Sequence, residues 1–197
     1  VVHLKCSMVN KMPGYHVDKY ANLRVGYTYM FGHSGKKLLF MGQDFGQERE
    51  WSEARELDWF LLQEPLNRGM KEFMGELLKM YHKYPCLYTI DNSWEGFEWM
   101  NADDKDRSTY TFIRKTKDGK NNLLFVLNMT PMTWENYQIS VPAKKKYKLV
   151  LNSNEERFGG NGHKIPEVVE AEAKPLCGRK YSISIDLAPY TAAVFVF

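Results

Sequence analysis

Side chains suited to sugar recognition are concentrated in one short stretch, residues 43–51. Its candidate ligand-binding residues are Gln43, Asp44, Gln47, Glu50 and Trp51, with Phe45, Glu48 and Arg49 between them. Carboxylates and amides supply the hydrogen-bond donors and acceptors that sugar hydroxyls need, and an indole supplies a flat apolar surface for the C–H face of a pyranose. This composition predicts one wall of a carbohydrate-binding site.

The stretch directly follows a short apolar run, residues 37–42 (KLLFMG). An unbroken apolar run of this length is typical of a strand that is buried on both faces of a parallel sheet. In (β/α) barrels and open α/β sheets, ligands bind at the C-terminal ends of such strands, where this polar loop begins. The alternative is a solvated loop in which Trp51 only caps the barrel.

Helices are predicted on both sides of this run. Apolar residues recur at helical spacing over 18–31 and stop at Gly32, and a second apolar stripe covers 67–83. Asn67 is the expected cap of the second helix, since Pro65 is expected to break the preceding segment and Pro85 to stop the helix. The order of helix, strand, loop and helix indicates the closing part of a βαβ unit.

The pattern changes near Cys86, where we expect a domain boundary. Short runs rich in β-branched and aromatic residues predict strands at 96–101, 109–115, 122–128, 137–141, 147–151, 181–187 and 192–197. Asp118-Gly119 predicts a hairpin, and the absence of helices between the strands predicts an antiparallel β-sandwich. The glycine-rich residues 159–162 (GGNG) lack the features of a phosphate-binding loop and are expected to be exposed.

Composition narrows the function further. The 197 residues are 44% hydrophobic, and 27 basic against 24 acidic residues give a net charge of +3, so neither nucleic acid nor an anionic membrane is an expected partner. Cys6, Cys86 and Cys177 lie too far apart to indicate a disulfide framework or a metal site, which favours a reducing compartment such as the cytoplasm. No apolar run is long enough to span a membrane. The start at Val1 without a methionine suggests part of a longer protein.

Several short words, in order, resemble the 1,4-α-glucan (glycogen or starch) branching enzymes of the α-amylase superfamily. The resemblance covers essentially the whole chain. It rests on His3 and on residues 11–14 (KMPG), 21–24 (ANLR), 35–42 (GKKLLFMG), 45–47 (FGQ), 50–51 (EW), 57–59 (LDW), 68–70 (RGM), 96–99 (GFEW) and 103–104 (DD).

The resemblance implies an α/β part followed by an all-β part. Residues 1–85 would supply the last strand and helices of a (β/α)8 barrel, and residues 86–197 the small C-terminal β-sandwich. Branching enzymes cut an α-1,4-glucan chain and transfer it to a 6-hydroxyl in glycogen biosynthesis, through a covalent intermediate. Their catalytic carboxylates are expected upstream of Val1, so no catalytic residue, metal or cofactor is assigned here.

By the same resemblance, the substrate-binding candidates are His3 at the rim of the site and the loop residues Gln43, Asp44, Gln47, Glu50 and Trp51. His3 could equally be a structural histidine, and Asp44 replaces the glutamate that is more usual at its position. The expected partners are α-glucan and the upstream barrel of the same enzyme. On its own, the chain is expected to be inactive and to self-associate through the unpaired strand 37–42.

Two alternative functions remain open at this point. One is a noncatalytic carbohydrate-binding module in which the β-sandwich acts alone. The other is the equivalent part of an α-amylase-type hydrolase or debranching enzyme.

Overall fold

The computed structural model describes residues 4–197, whose main elements form three layers. The helices are α1 (His16–Gly32) and α2 (Pro65–Lys83). The strands are β1 (Phe97–Asp104), β2 (Thr109–Arg114), β3 (Leu123–Asn128), β4 (Trp134–Val141), β5 (Lys146–Asn152), β6 (Val168–Glu170), β7 (Tyr181–Leu187) and β8 (Ala192–Val196). A six-stranded sheet in the order β1-β2-β3-β8-β5-β6 lies between the helices and a two-stranded sheet of β4 and β7.

Strand β3 shows how one sheet serves two cores. All of its residues are buried. Alternate side chains point to opposite faces of the sheet, and each face is covered by a hydrophobic core. Phe125 packs with the helices, whereas Leu124 and Val126 pack with Ile139 and Ile183 of the small sheet. Every paired strand is antiparallel, so the predicted β-sandwich is confirmed.

The predicted strands are confirmed, with ends that differ by up to three residues. Strand β6 was not predicted, because its three residues are largely exposed and show no clear alternation of apolar and polar side chains. The start of α2 was predicted incorrectly. Pro65 occupies the first turn of the helix, where its missing N–H costs nothing, and Asn67 is a buried residue inside it.

The prediction of a strand at 37–42 is wrong for the structure of residues 4–197. No strand pairing involves these residues, and the side chains of Leu38 and Phe40 are 68% and 38% exposed. A strand is held by hydrogen bonds to neighbours, and no parallel neighbour lies among residues 4–197. An apolar run alone therefore does not produce a strand here.

A buried arginine joins α1 to the β-sandwich. Arg24 is 1% exposed, and it donates from Nε to the carbonyl of Ser153 at 2.8 Å and from Nη1 to that of Phe158 at 2.9 Å. A third, longer contact reaches the carbonyl of Gly159 at 3.4 Å. Burial without a carboxylate partner lowers the pKa of the guanidinium to about 10. The loop at 159–162 is thus tied to the helices at its start, and of its residues only Asn161 is exposed, contrary to expectation.

A second arginine, Arg114 of β2, joins the other end of the helical layer to the sheet. Its side chain is fully buried and donates to the carbonyl of Gly32, the last residue of α1, at 2.8 Å. It also donates to the carbonyls of Gly96 and Leu87 and to Asp91 Oδ1, at 3.1, 3.3 and 3.1 Å. The helices and the sheet are therefore connected through buried, charge-assisted hydrogen bonds at two places.

We expect Arg24→Met and Arg114→Met each to lower the free energy of unfolding by about 3–5 kcal/mol, because each leaves several buried acceptors without a donor. Urea unfolding followed by circular dichroism measures the change. Arg55→Met is the matched control, since Arg55 is exposed and should change stability by less than about 0.5 kcal/mol. Losses below about 1 kcal/mol in both buried variants would show that these contacts do not hold the layers together.

Candidate functional site

The loop that follows residues 37–42 is shaped by two glycines. Gly42 and Gly46 have φ values of 83° and 70° and flank a 3-10 turn, Gln43–Phe45. A Cβ at Gly42 would lie 2.8 Å from Cβ of Gln47, and one at Gly46 would lie 2.8 Å from the ring of Tyr20. Both positions therefore need glycine, for backbone conformation and for space.

Two tyrosines of α1 hold this loop from one side. The Tyr20 hydroxyl contacts the Gly46 carbonyl and Glu48 Oε1, both at 3.1 Å, and the Tyr27 hydroxyl donates to the Gln43 carbonyl at 2.8 Å. Burial raises the pKa of both phenols, and the nearby charges of Glu48 and Asp44 respectively raise it further. Both tyrosines therefore stay protonated and remain donors over the whole physiological range.

Helix α2 holds the same loop from the other side. Asn67 Nδ2 donates to the carbonyls of Phe45 and Gly46, both at 3.0 Å. Lys71 of the same helix forms a salt bridge with Asp44. The loop is thus fixed between the helices before any ligand is bound.

Gln47 and Glu50 are engaged with the protein itself. Gln47 is 5% exposed, and its Oε1 accepts from the Asp58 N–H at 2.9 Å while its Nε2 donates to the Arg49 carbonyl at 3.2 Å. Glu50 Oε1 accepts from the Lys5 N–H at 3.2 Å. These contacts give Gln47 a supporting position in the loop, behind the surface that a ligand would touch.

Gln43, Gln47 and Trp51, three of the predicted ligand-binding residues, line one small cleft, but this cleft is nearly closed. Its volume is about 20 Å³, which holds about one water molecule. The Trp51 ring packs edge-on against Phe40, with 5.2 Å between centroids. A ligand larger than water would therefore contact the outer rim of this cleft and not its interior.

The other predicted residues are not brought into that cleft. Asp44 lines a separate groove of about 340 Å³ with Lys71, Met74 and Leu78 of α2. Glu50 faces the segment that contains Lys5. His3 lies outside the described residues.

A larger cleft, which the sequence analysis missed, lies on the β-sandwich. Its volume is about 480 Å³, and we call it the Trp134 cleft. The side chains that define it are Asn101, Asp104, Arg107, Trp134, Glu135 and Gln138. The signal in the sequence is the triplet Trp134-Glu135-Asn136, which combines an indole, a carboxylate and an amide as the loop at 43–51 does.

Neither a metal centre nor a membrane-spanning helix is present in the part of the chain that the structure describes. Within residues 4–197, no three His, Cys, Asp or Glu side chains lie together in a group that could hold a metal ion. None of the helices there is both long and apolar enough to cross a membrane.

Comparison with known proteins gives a family match and several full-length alignments of this chain. Residues 99–197 match the family described as alpha amylase, C-terminal all-beta domain. The chain is 66% identical over its whole length to the 1,4-alpha-glucan branching enzyme GlgB of Butyrivibrio fibrisolvens, and 43% identical over 99% of its length to the GlgB of Halothermothrix orenii. It spans only 31% of each of these relatives.

Solved structures share the fold at low sequence identity. A debranching enzyme of Nostoc punctiforme superposes with a TM-score of 0.62 at 15% identity, covering 100% of this chain and 34% of that one. An alpha-amylase of H. orenii superposes with a TM-score of 0.54 at 17% identity, covering 91% of this chain and 35% of that one. At these identities the similarity concerns the fold alone.

We expect Gln47→Ala to lower the free energy of unfolding by about 1–3 kcal/mol, because the buried Asp58 N–H loses its acceptor. Chemical denaturation measures stability, and carbohydrate affinity is measured on the same samples. Gln63→Ala, at an exposed glutamine with no side-chain partner among the described residues, is the control and should leave both unchanged. A Gln47→Ala variant that keeps its stability but loses affinity would instead identify Gln47 as a direct ligand-binding residue.

Proposed function

Because this chain belongs to the family of alpha-amylase C-terminal all-beta domains, we propose that it is the C-terminal part of a 1,4-α-glucan branching enzyme. The observation that carries the proposal is the alignment of the whole chain, helices and loop as well as sandwich, with curated branching enzymes. A free-standing β-sandwich module would have no use for the helices and loops of residues 4–85. The proposed substrate is α-glucan, and the proposed product carries new α-1,6 branches.

We propose further that residues 1–85 complete a (β/α)8 barrel with the rest of the enzyme. Large apolar side chains that a monomer would normally bury are exposed on this part of the chain: Val17 is 57%, Leu38 68%, Trp59 50% and Phe60 66% exposed. The run at 37–42 has no strand partner among residues 4–197. Neighbouring strands of a barrel would supply that partner and cover this apolar surface.

In this proposal, the chain positions substrate while other parts of the enzyme supply the reactive carboxylates. Retaining transfer needs two carboxyl groups about 5 Å apart on either side of the bond that is cut. The loop at 43–51 would form part of the rim of the active site, where Trp51 offers an apolar face and Gln43 a polar group, while Asp44 lies in the neighbouring groove beside Lys71. The tyrosines of α1 and Asn67 of α2 keep that rim in one conformation, so little ordering is needed when glucan binds.

We also propose that the enzyme works in a reducing compartment, the cytoplasm. The three free thiols in the described chain support this location.

We expect Trp51→Ala in the intact enzyme to raise KM for amylose about five- to tenfold with little change in kcat, because the glucan loses an apolar contact. Branching rates by iodine staining at several amylose concentrations give both constants. Trp51→Phe keeps an aromatic face and serves as the matched control, with KM close to that of the unmodified enzyme. If Trp51→Ala loses thermal stability but keeps its KM, the indole only covers the end of the barrel.

The 197-residue chain alone should neither branch nor hydrolyse amylose, whereas the intact enzyme should form α-1,6 linkages. Loss of a catalytic nucleophile costs several powers of ten in rate even when the rest of a site is intact. Linkage analysis and reducing-end assays on both proteins separate transfer from hydrolysis. Products with new reducing ends but no α-1,6 linkages would indicate a hydrolase, and turnover by the short chain that Asp44→Asn or Glu48→Gln abolishes would place the reactive groups within it.

A further inference from the structure

The Trp134 cleft lies where two strands depart from regular pairing. The register of β4 with β7 shifts between Trp134 and Tyr137, and the register of β1 with β2 shifts between Asn101 and Asp104. Asn136, within the first irregularity, has a φ of 49°, and its N–H donates to Asp186 Oδ1 at 2.7 Å. Bulges redirect side chains and are frequent beside functional sites. Here they turn polar side chains of both strands toward one cleft.

The floor of the cleft is a closed hydrogen-bond network around Asp104. Asp104 Oδ2 accepts from the Tyr137 hydroxyl at 3.0 Å, from Thr109 Oγ1 at 3.2 Å and from Arg107 Nη1 at 3.2 Å. The Tyr137 and Thr109 hydroxyls are 2.6 Å apart. Burial, together with the carboxylate of Asp104, raises the pKa of Tyr137 to about 12. These partners hold the carboxylate and the guanidinium in place without a ligand.

The walls combine an apolar surface with free polar groups. The half-buried indole of Trp134 packs against Arg107, whose guanidinium carbon lies 5.8 Å from the ring centroid, and Leu176 adds an aliphatic side chain. Glu135 and Gln138 are exposed at the rim and have no side-chain partner among the described residues. The cleft thus offers fixed donors, fixed acceptors and adaptable amide and carboxylate groups beside an apolar wall.

The charges of the cleft select a neutral, hydroxyl-rich ligand. Asp104 and Glu135 outnumber the single cation Arg107, which is already paired, so a phosphate or other anion would meet net repulsion. The polar lining disfavours a purely apolar ligand, because its groups would be buried without partners. A volume of about 480 Å³ lies within the range of small-molecule sites, about 300–1,000 Å³. A short stretch of a sugar chain satisfies all of these conditions.

We propose that the Trp134 cleft binds a segment of α-glucan and holds the polymer on the β-sandwich while the chain is cut and transferred elsewhere on the enzyme. This inference rests on the proposed function, which supplies the glucan as the ligand. It adds a second contact to the same polymer, and two contacts on one chain raise the effective concentration of the polymer at the reactive site. The cleft should therefore matter for long glucans and little for short ones.

The test compares the intact enzyme with its Trp134→Ala and Glu135→Ala/Gln138→Ala variants. Affinity electrophoresis in amylopectin gels and calorimetric titration with maltoheptaose measure binding. We expect each variant to bind amylopectin about five- to tenfold more weakly, because it loses either the apolar wall or the polar rim. KM should rise for amylose, while kcat and the rate with short malto-oligosaccharides stay the same.

Met132→Ala is the matched control, because Met132 is 55% exposed, lies two residues before Trp134 and does not line the cleft. The double variant keeps the test valid if Trp134→Ala fails to fold, since the side chains of Glu135 and Gln138 are exposed and form no hydrogen bond or ion pair in the described structure. Unchanged amylopectin affinity in the folded variants would overturn the proposal. An intact enzyme that forms no α-1,6 linkages would overturn the proposed function instead, and equal binding by folded variants of an enzyme that does branch would overturn only this inference.

Discussion

The structure depends on a positive charge that is buried without a carboxylate beside it. The Arg24 guanidinium is buried, and its hydrogen-bond partners in the described structure are backbone carbonyls. The energetic cost of removing this charge from water is offset only if those carbonyls stay in place. They belong to the connection after β5, which must therefore follow one path against the helices. Gly69 of α2 allows this approach, because a Cβ there would lie 2.6 Å from the backbone of Phe158. Sequence-distant segments thus share one packing arrangement.

The loop at 43–51 depends on that arrangement through the helices. Arg24, Tyr20 and Tyr27 lie on the same helix, so the contact that orients α1 on the sheet also orients the hydroxyls that hold the loop. Arg114 fixes the other end of α1 through the carbonyl of Gly32. Helix α1 therefore contacts both the C-terminal sandwich and the loop that we propose to contact glucan. A substitution that shifts the sandwich relative to α1 would also change the position of this loop.

The two proposed glucan-binding surfaces solve the same chemical problem in different ways. At the loop, glycine turns and buried tyrosines fix a polar segment whose Trp51 packs on Phe40. At the cleft, two strand irregularities and the network around Asp104 fix polar groups beside Trp134. Both combine an indole with acids and amides, and both are ordered before binding. One lies on the helical layer and the other on the sandwich. In this proposal, a single glucan polymer would therefore contact the enzyme at two separate places.

The sequence by itself determined the helices, most strands and the sandwich, because local periodicity, turn residues and caps act over a few residues. It also indicated the loop at 43–51, since indole, amide and acid side chains stand together there. Tertiary structure alone decided that 37–42 forms no strand among the described residues, because a strand exists only through its neighbours. It also placed Gln47 inside the loop, since burial of a polar side chain depends on partners such as Asp58 that periodicity does not reveal. The Trp134 cleft likewise required the fold, because Asp104 and Trp134 meet only when β1 and β4 pack together.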